Sequence, residues 1–379
     1  MNAPAIIPSP VFTGTSFKGL DFANRLSVAP MTRISASSAG VPGERMVHYY
    51  QRFARGGFSL VTTEGIYTDK VYAQTYSGQP GLTDREQADA WRRVVDAVHA
   101  AGGRIFAQLM HGGALSQANP HRSGTVGPSA IRPKGSQMTG YRGDGPYAMP
   151  REISEAEIAA AIEGFAGAAR LAIEVAGFDG IEIHGANGYL LDQFFTDYTN
   201  HRKDRWGGDI VARLGLSLEV LKAVRATIGQ SVPLGLRLSQ GKVNDFRHKW
   251  TEREQGAARV FEALAASPAD FAHVTEFEAW QPAFEGGDIS LVSLARRHAP
   301  RLFLIANGTL HDLARAEQVV EAGADMIALG RGALVNPDWP HRMAEGSALR
   351  PFELLSMLAP TSEIKDSELA LDMRARRPA

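Results

Sequence analysis

The chain has 379 residues, 44% hydrophobic and 21% charged, with a formal net charge of -1, a balance that gives nucleic-acid or anionic-membrane binding no electrostatic support. It contains no cysteine, which excludes disulfides, thiolate nucleophiles and cysteine-ligated iron–sulfur clusters. No apolar run approaches the roughly 18 residues of a membrane span, and residues 1–10 lack a secretory signal's basic start and apolar core, so a cytoplasmic location is expected.

Residues 4–24 are punctuated by proline and glycine and predict an arm or hairpin covering one end of a core. A buried strand over 26–31 follows, then a helix over 44–55 closed by Gly56 and Gly57, then an apolar run over 58–63. Thr83 and Glu86 have capping-box spacing and open a helix to about residue 101. Residues 104–109 read as a third strand. Residues 110–150, rich in glycine, serine and proline, form a long excursion, and loops of that length usually carry function or small elements of their own. Ser154 and Glu157 form a second capping box, with Ile153 placed to staple onto Ile158. Ile158, Ile162, Phe165, Ala169 and Ile173 keep the helical period as far as Gly177. Residues 180–189 then read as a buried strand, a polar turn and a helix start. Further strands are expected over 233–238, 270–275, 301–306 and 325–329, separated by helices over 210–228, 251–266, 289–298 and 311–322. Thr251 and Glu254 supply a third capping-box spacing. A helix near 339–345 precedes a charged tail expected to lie outside the core.

None of the eight apolar runs alternates as a half-exposed strand would. Strands buried on both faces read this way, which implies a parallel sheet wrapped by helices. Eight such units predict an α/β fold of the TIM (β/α)8 barrel type, with an N-terminal arm or hairpin and a long loop after strand three. One domain is expected over 1–350, with 351–379 as a C-terminal tail.

A barrel of this type builds its site at the C-terminal strand ends. Strand one delivers Ala29, Pro30, Met31 and Thr32, strand two Glu64 and Gly65, and strand three Gln108 and then His111. Strand four delivers His184, Asn187 and Tyr189. His184 and Asn187 are three apart, so a helical turn would point both donors at one ligand oxygen, and Tyr189 can give up a proton nearby. The alternative is a strand end whose polar groups satisfy a helix N-terminus. Strand five carries Arg237 among Leu234, Leu236 and Leu238; a guanidinium so placed needs an anionic or electron-rich partner, either a ligand or a structural carboxylate. Strand six ends at Thr275 and Glu276. Strands seven and eight deliver Asn307, Gly308, Gly330, Arg331 and Gly332, where open backbone amides and a fixed charge suit a phosphate, the alternative being ordinary turn glycines. The Gln108 amide suits the edge of a planar heterocycle. No dinucleotide or Walker glycine motif and no metal-binding spacing is present, so no metal is expected. Lys242 comes nearest to the position a Schiff-base lyase would use.

With these residues assembled, the sequence resembles the Old Yellow Enzyme family of FMN-dependent ene-reductases. The resemblance rests on residues 24–33 (NRLSVAPMTR), 108–113 (QLMHGG), 181–191 (IEIHGANGYLL), 200–208 (NHRKDRWGG) with Arg213, and 327–337 (IALGRGALVNP). It implies noncovalent FMN across the barrel mouth and NADPH or NADH as hydride donor. Ala29, Pro30, Met31 and Thr32 would line the flavin ring, Gly65 and Gln108 its pyrimidine edge, and Arg237 its N1–C2 side. Asn307, Gly308, Gly330 and Arg331 would hold ribityl and phosphate. His184 and Asn187 would grip the activating oxygen of an electron-poor alkene beside the flavin, and Tyr189 would protonate it. Thr32 stands where one branch of the family has cysteine, Asn187 where many relatives have histidine, Met110 where an aromatic is common, and Ile34 where another branch has tyrosine. The runner-up within the family is nitroester or nitroaromatic reduction; outside it, a flavin-free phosphate-binding lyase or isomerase. The expected partner is a small molecule, with no nucleic acid and no membrane, and a homo-oligomer is left open.

Overall fold

The computed structural model describes residues 9–353, 357–371 and 373. Eight parallel strands form a closed ring: Leu26–Val28, Leu60–Thr62, Arg104–Met110, Gly180–His184, Leu234–Ser239, Phe271–Thr275, Phe303–Asn307 and Met326–Leu329. Each pairs with the next in sequence, and Ile327 opposite Leu26 closes the ring. Every residue of strands four, five and six is buried, the polar ones included, as expected of parallel strands covered on both faces.

Helices wrap the ring, and the helix Glu155–Arg170 starts as its sequence dictates. The Ser154 side chain accepts from the Glu157 amide, Glu157 returns the bond, and Ile153 and Ile158 are both buried. A wider turn over Leu171–Ala176 follows, and Gly177 ends it at φ +81°.

The other two caps differ from expectation. Asp84, not Thr83, caps Arg85–Ala100 by accepting from the Gln87 amide, and Gln87 accepts the Thr83 amide in return. Aspartate is the stronger cap, so it takes the N-cap one residue later. Helix Arg253–Ala265 has no side-chain cap at all. Thr251 donates to Asp197 at 3.0 Å and Glu252 is held by Arg213 at 2.8 Å, so tertiary partners engage the residues just before this helix.

A hairpin, Thr15–Phe17 with Leu20–Phe22, lies against the N-terminal end of the barrel. Phe17 stacks on Phe303 at 4.5 Å and meets Phe271 edge-on, closing that end with apolar side chains. Residues 1–8 of the expected arm lie outside the described residues. The long loop after strand three carries small elements: a turn at Gly113–Leu115, a strand Val126–Gly127 paired with Arg151–Glu152, and a turn at Thr139–Tyr141.

The described part of the tail does not lie off the barrel. The Glu368 side chain is fully buried between Arg33, which follows the strand-one wall, and Arg52 of the first long helix. Arg33 Nη1 donates to Glu368 Oε2 at 2.8 Å and Nη2 to Oε1, and Arg52 Nη1 donates to the Glu368 carbonyl at 2.6 Å. Two buried guanidiniums need a carboxylate, and the tail supplies it. The Ile364 amide donates to Ser35, and the Ser362 amide to the Gly140 carbonyl, both at 2.8 Å. The tail thereby fastens the loop after strand one to the loop after strand three. Among the described residues no helix is long and apolar enough to cross a membrane.

Candidate active site

A cavity of about 320 Å³ opens at the C-terminal strand ends, within the size range of small-molecule sites. Its walls include Pro30, Met31, Thr32, Gln108, His184, Asn187, Tyr189, Arg237, Asn307, Gly308, Gly330 and Arg331. Ala29 and Gly65 are buried but form no part of the wall. The Ala29 amide is spent on the Leu329 carbonyl at 2.9 Å, and the Gly65 carbonyl accepts Gln79 Nε2 at 2.7 Å. A side chain at Gly65 would meet the Met110 sulfur at 2.3 Å, so only glycine packs there. Met110 and Ile34 are also buried away from the cavity.

His184 and Asn187 meet at the cavity, but no helical turn brings them there. The next helix begins only at Leu190. Between them the chain turns sharply, with Asn187 at φ +63° and Gly188 at φ +88°, conformations that asparagine and glycine tolerate best. The Asn187 amide donates to Ser239 Oγ at 2.8 Å, and the Gly188 amide to Asp192 Oδ2 at 2.6 Å. Gln193 Nε2 ties the Gly188 carbonyl to that of Gly112, at 2.7 and 3.1 Å.

Burial, with the charges of Arg237 and His273, holds the His184 imidazole well below its ordinary value, so it is neutral near pH 7. Its ring lies 4.9 Å from that of Tyr189. Tyr189 Oη is 2.7 Å from Tyr76 Oη, and burial pushes the Tyr189 phenol above its ordinary value, so it keeps its proton. Tyr141, delivered by the long loop, also lines the cavity and sits 4.5 Å from the Tyr76 ring; burial pushes its phenol up to about 12.

A polar layer runs through the strand ends. Gln108 Nε2 donates to Glu182 Oε1, and Glu182 Oε2 meets His273 Nδ1, both at 2.7 Å. Burial alone would raise the Glu182 carboxyl; His273 and Arg237 outweigh it and hold it below its ordinary value. Arg237 Nη2 donates to Thr275 Oγ1 and Asn307 Oδ1 at 3.1 Å each. Among the described residues no carboxylate hydrogen-bonds Arg237, so the structural-carboxylate alternative has no direct contact behind it. Arg237 Nε and His184 Nδ1 are buried without a protein partner. Orphaned buried nitrogens are costly, and a ligand carrying an electron-rich ring or carbonyl edge would satisfy them.

At the other end of the cavity, Gly308 has φ +150°, and a side chain there would come within 2.4 Å of the Glu276 carbonyl. Only glycine fits. Arg331 is exposed beside it and donates to Thr309 Oγ1 at 3.2 Å, a fixed positive charge among open amides. The chemistry of these residues, a buried arginine and amide at one part of the cavity and an exposed arginine beside glycines at another, fits a group like FMN that carries both an electron-rich ring and a phosphate.

Sequence reasoning missed Glu182, His273, Tyr76, Tyr141 and the Leu358 side chain that the tail adds to the wall. Glu182 had a signal, a charge between two isoleucines in a buried strand. The tyrosines had none, because both sit in irregular loops. Among the described residues no group of acidic and histidine side chains is placed to hold a metal.

A closed parallel eight-stranded barrel with an unpartnered, buried strand-five arginine nitrogen at the mouth of a cavity is the layout of a flavin-dependent oxidoreductase. The chain belongs to the NADH:flavin oxidoreductase / NADH oxidase family, whose model matches residues 10–350. It is 36% identical over 339 residues to a probable flavin mononucleotide-dependent alkene reductase of Leishmania infantum, covering 87% of this chain and 89% of that one. It is 34% identical to 12-oxophytodienoate reductase 2 of Arabidopsis thaliana, covering 92% and 93%. Among solved structures, an old yellow enzyme homologue from Zymomonas mobilis superposes with a TM-score of 0.83 at 31% identity, covering 93% of this chain and 98% of that one. Morphinone reductase in complex with tetrahydroNAD gives a TM-score of 0.79 at 30% identity, covering 95% and 93%. The resemblance drawn from the sequence motifs is borne out.

Proposed function

We propose that this chain is an FMN-dependent oxidoreductase that uses NAD(P)H to reduce the C=C bond of small alkenes activated by a carbonyl or nitro group. The observation that carries the reading is the convergence of a neutral His184, Asn187 and a protonated Tyr189 on one cavity beside the orphaned Arg237 Nε. Hydride transfer from NAD(P)H to the alkene β-carbon is the chemistry that FMN supplies when bound. Pro30, Met31, Thr32, Gln108 and Arg237 would hold its ring system, and Asn307, Gly308, Gly330 and Arg331 its ribityl and phosphate end. His184 and Asn187 donate to the activating oxygen and draw electron density toward it, which lowers the cost of adding hydride at the β-carbon. Tyr189 gives its phenolic proton to the α-carbon. The flavin-free Schiff-base alternative loses its amine, because Lys242 is buried against Asp192 at 2.6 Å.

Purified protein is expected to be yellow and to release FMN on denaturation; colourless protein that takes up no added FMN would overturn the reading. His184→Ala is expected to weaken binding of a phenol or enone by about tenfold, the worth of one good hydrogen bond. Because the folded-state value of His184 lies well below 6.5, binding of a neutral enone should stay flat over roughly pH 6 to 8. A titration of affinity near 6.5 in that window, absent from His184→Ala, would show instead that His184 ionises in the folded protein.

A further inference from the structure

Lys242 and Asp192 form an ion pair that is nearly out of solvent's reach, with side chains 1% and 0% exposed. Neither lines the cavity. Each is nonetheless wired into the turn that carries Asn187 and Tyr189. Asp192 Oδ2 accepts the Gly188 amide at 2.6 Å, while its Oδ1 accepts Lys242 Nζ at 2.6 Å and, more weakly, Thr196 Oγ1 at 3.4 Å. On the other side, the backbone at Lys242 runs beside Asn187, and the amide of Val243, a cavity residue, donates to the Asn187 carbonyl at 3.1 Å. The approach is close: a side chain at Gly188 would lie 3.3 Å from Lys242 Cβ.

We propose that the buried Asp192–Lys242 pair is a positioning device, locking the strand-four turn to the loop after strand five and thereby setting how Asn187 and Tyr189 face the substrate. The inference rests on the function proposed above. Its physical basis is the asymmetry of buried ion pairs. Such a pair adds little net stability over apolar side chains of similar size, and its best-attested use is to fix one register among several. Here the register in question joins the strand-four turn, with Asn187 and Gly188 at left-handed backbone positions, to the loop after strand five through a single isolated bridge, outside any regular strand or helix. A displacement of about 1 Å at such groups costs up to roughly 10²-fold in rate.

The test is the double variant Asp192→Asn/Lys242→Met, which removes both charges and keeps a side-chain oxygen for the Gly188 amide. It is expected to melt near the wild-type temperature and to retain full FMN, yet to lose about 10- to 100-fold in kcat/KM for an activated alkene and about tenfold in p-substituted phenol affinity. Lys242→Arg, which keeps the charge, is expected to recover most of both. Lys242→Met alone strands the Asp192 charge, so its loss of stability says nothing about positioning; the double variant carries that question. Wild-type kinetics and phenol binding in the folded double variant would overturn the proposal. Wild-type protein without FMN or alkene reduction would instead overturn the function beneath it, so the two failures are separable.

Discussion

Tyr189→Phe is expected to slow alkene reduction by roughly 10²- to 10⁴-fold, the range general acids contribute. The phenol is buried, keeps its proton near neutral pH, and lies against His184 within the cavity. The substitution removes one oxygen, and the ring keeps its place in the cluster with Tyr76, Leu115 and Tyr147. Fold and FMN content should therefore hold. The discriminating measurement is rapid mixing of the two half-reactions. Flavin reduction by NAD(P)H should be nearly untouched, while flavin reoxidation by the alkene should carry the loss. Equal losses in both would contradict a proton-donor role and assign Tyr189 to shaping the cavity instead.

Glu368→Ala is expected to cost about 3–5 kcal/mol, the range for removing one partner of a buried ion pair. It leaves Arg33, whose side chain is 0% exposed, and Arg52 without their carboxylate. Urea unfolding at neutral pH should show the loss as a lower midpoint with an unchanged slope. The sign with pH follows from the direction of the shift. Burial alone would raise the Glu368 carboxyl, but the Arg33 hydrogen bond and the charges of Arg33 and Arg52 hold it below its ordinary value of 4.5. The stabilisation is thus fully present above about pH 4.5 and is lost as pH falls through the lower folded-state value. The difference between wild type and Glu368→Gln should shrink in acid accordingly. Because the same segment fastens the loops bearing Thr32 and Tyr141 and places Leu358 in the wall, Glu368→Ala should also loosen substrate binding. A variant as stable as wild type would mean that water replaces the carboxylate at Arg33.

The barrel was legible because its signal is local and repeated. Eight unalternating apolar runs, each followed by a helical period, leave few other ways to bury both faces of a sheet. Most of the wall was legible for the same reason: once the strands are known, their C-terminal ends name Thr32, Gln108, His184, Arg237 and Gly308. Three expectations from spacing differ in the structure, the first being the Thr83 cap, which Asp84 provides instead. His184 and Asn187 do converge, through a left-handed turn rather than a helical one. Thr251 and Glu254 have the spacing of a capping box and do not make one: the helix starts at Arg253, after an uncapped Glu252, and Thr251 donates to Asp197 instead.

The sequence by itself determined the strand count, the parallel barrel, the family and the residues that strand ends must deliver. Those follow from hydrophobic period and from motifs read along one stretch of chain. Only the tertiary structure decided what the irregular segments contribute. Tyr76 reaches Tyr189 across 113 positions, Lys242 reaches Asp192 across 50, and Arg33 reaches Glu368 across 335. Loops have no period to reveal which face they present. A charged tail looks solvated until the buried arginine that draws it in is known. The chemistry of this site was written in the strands; its positioning was written in contacts that no local pattern encodes.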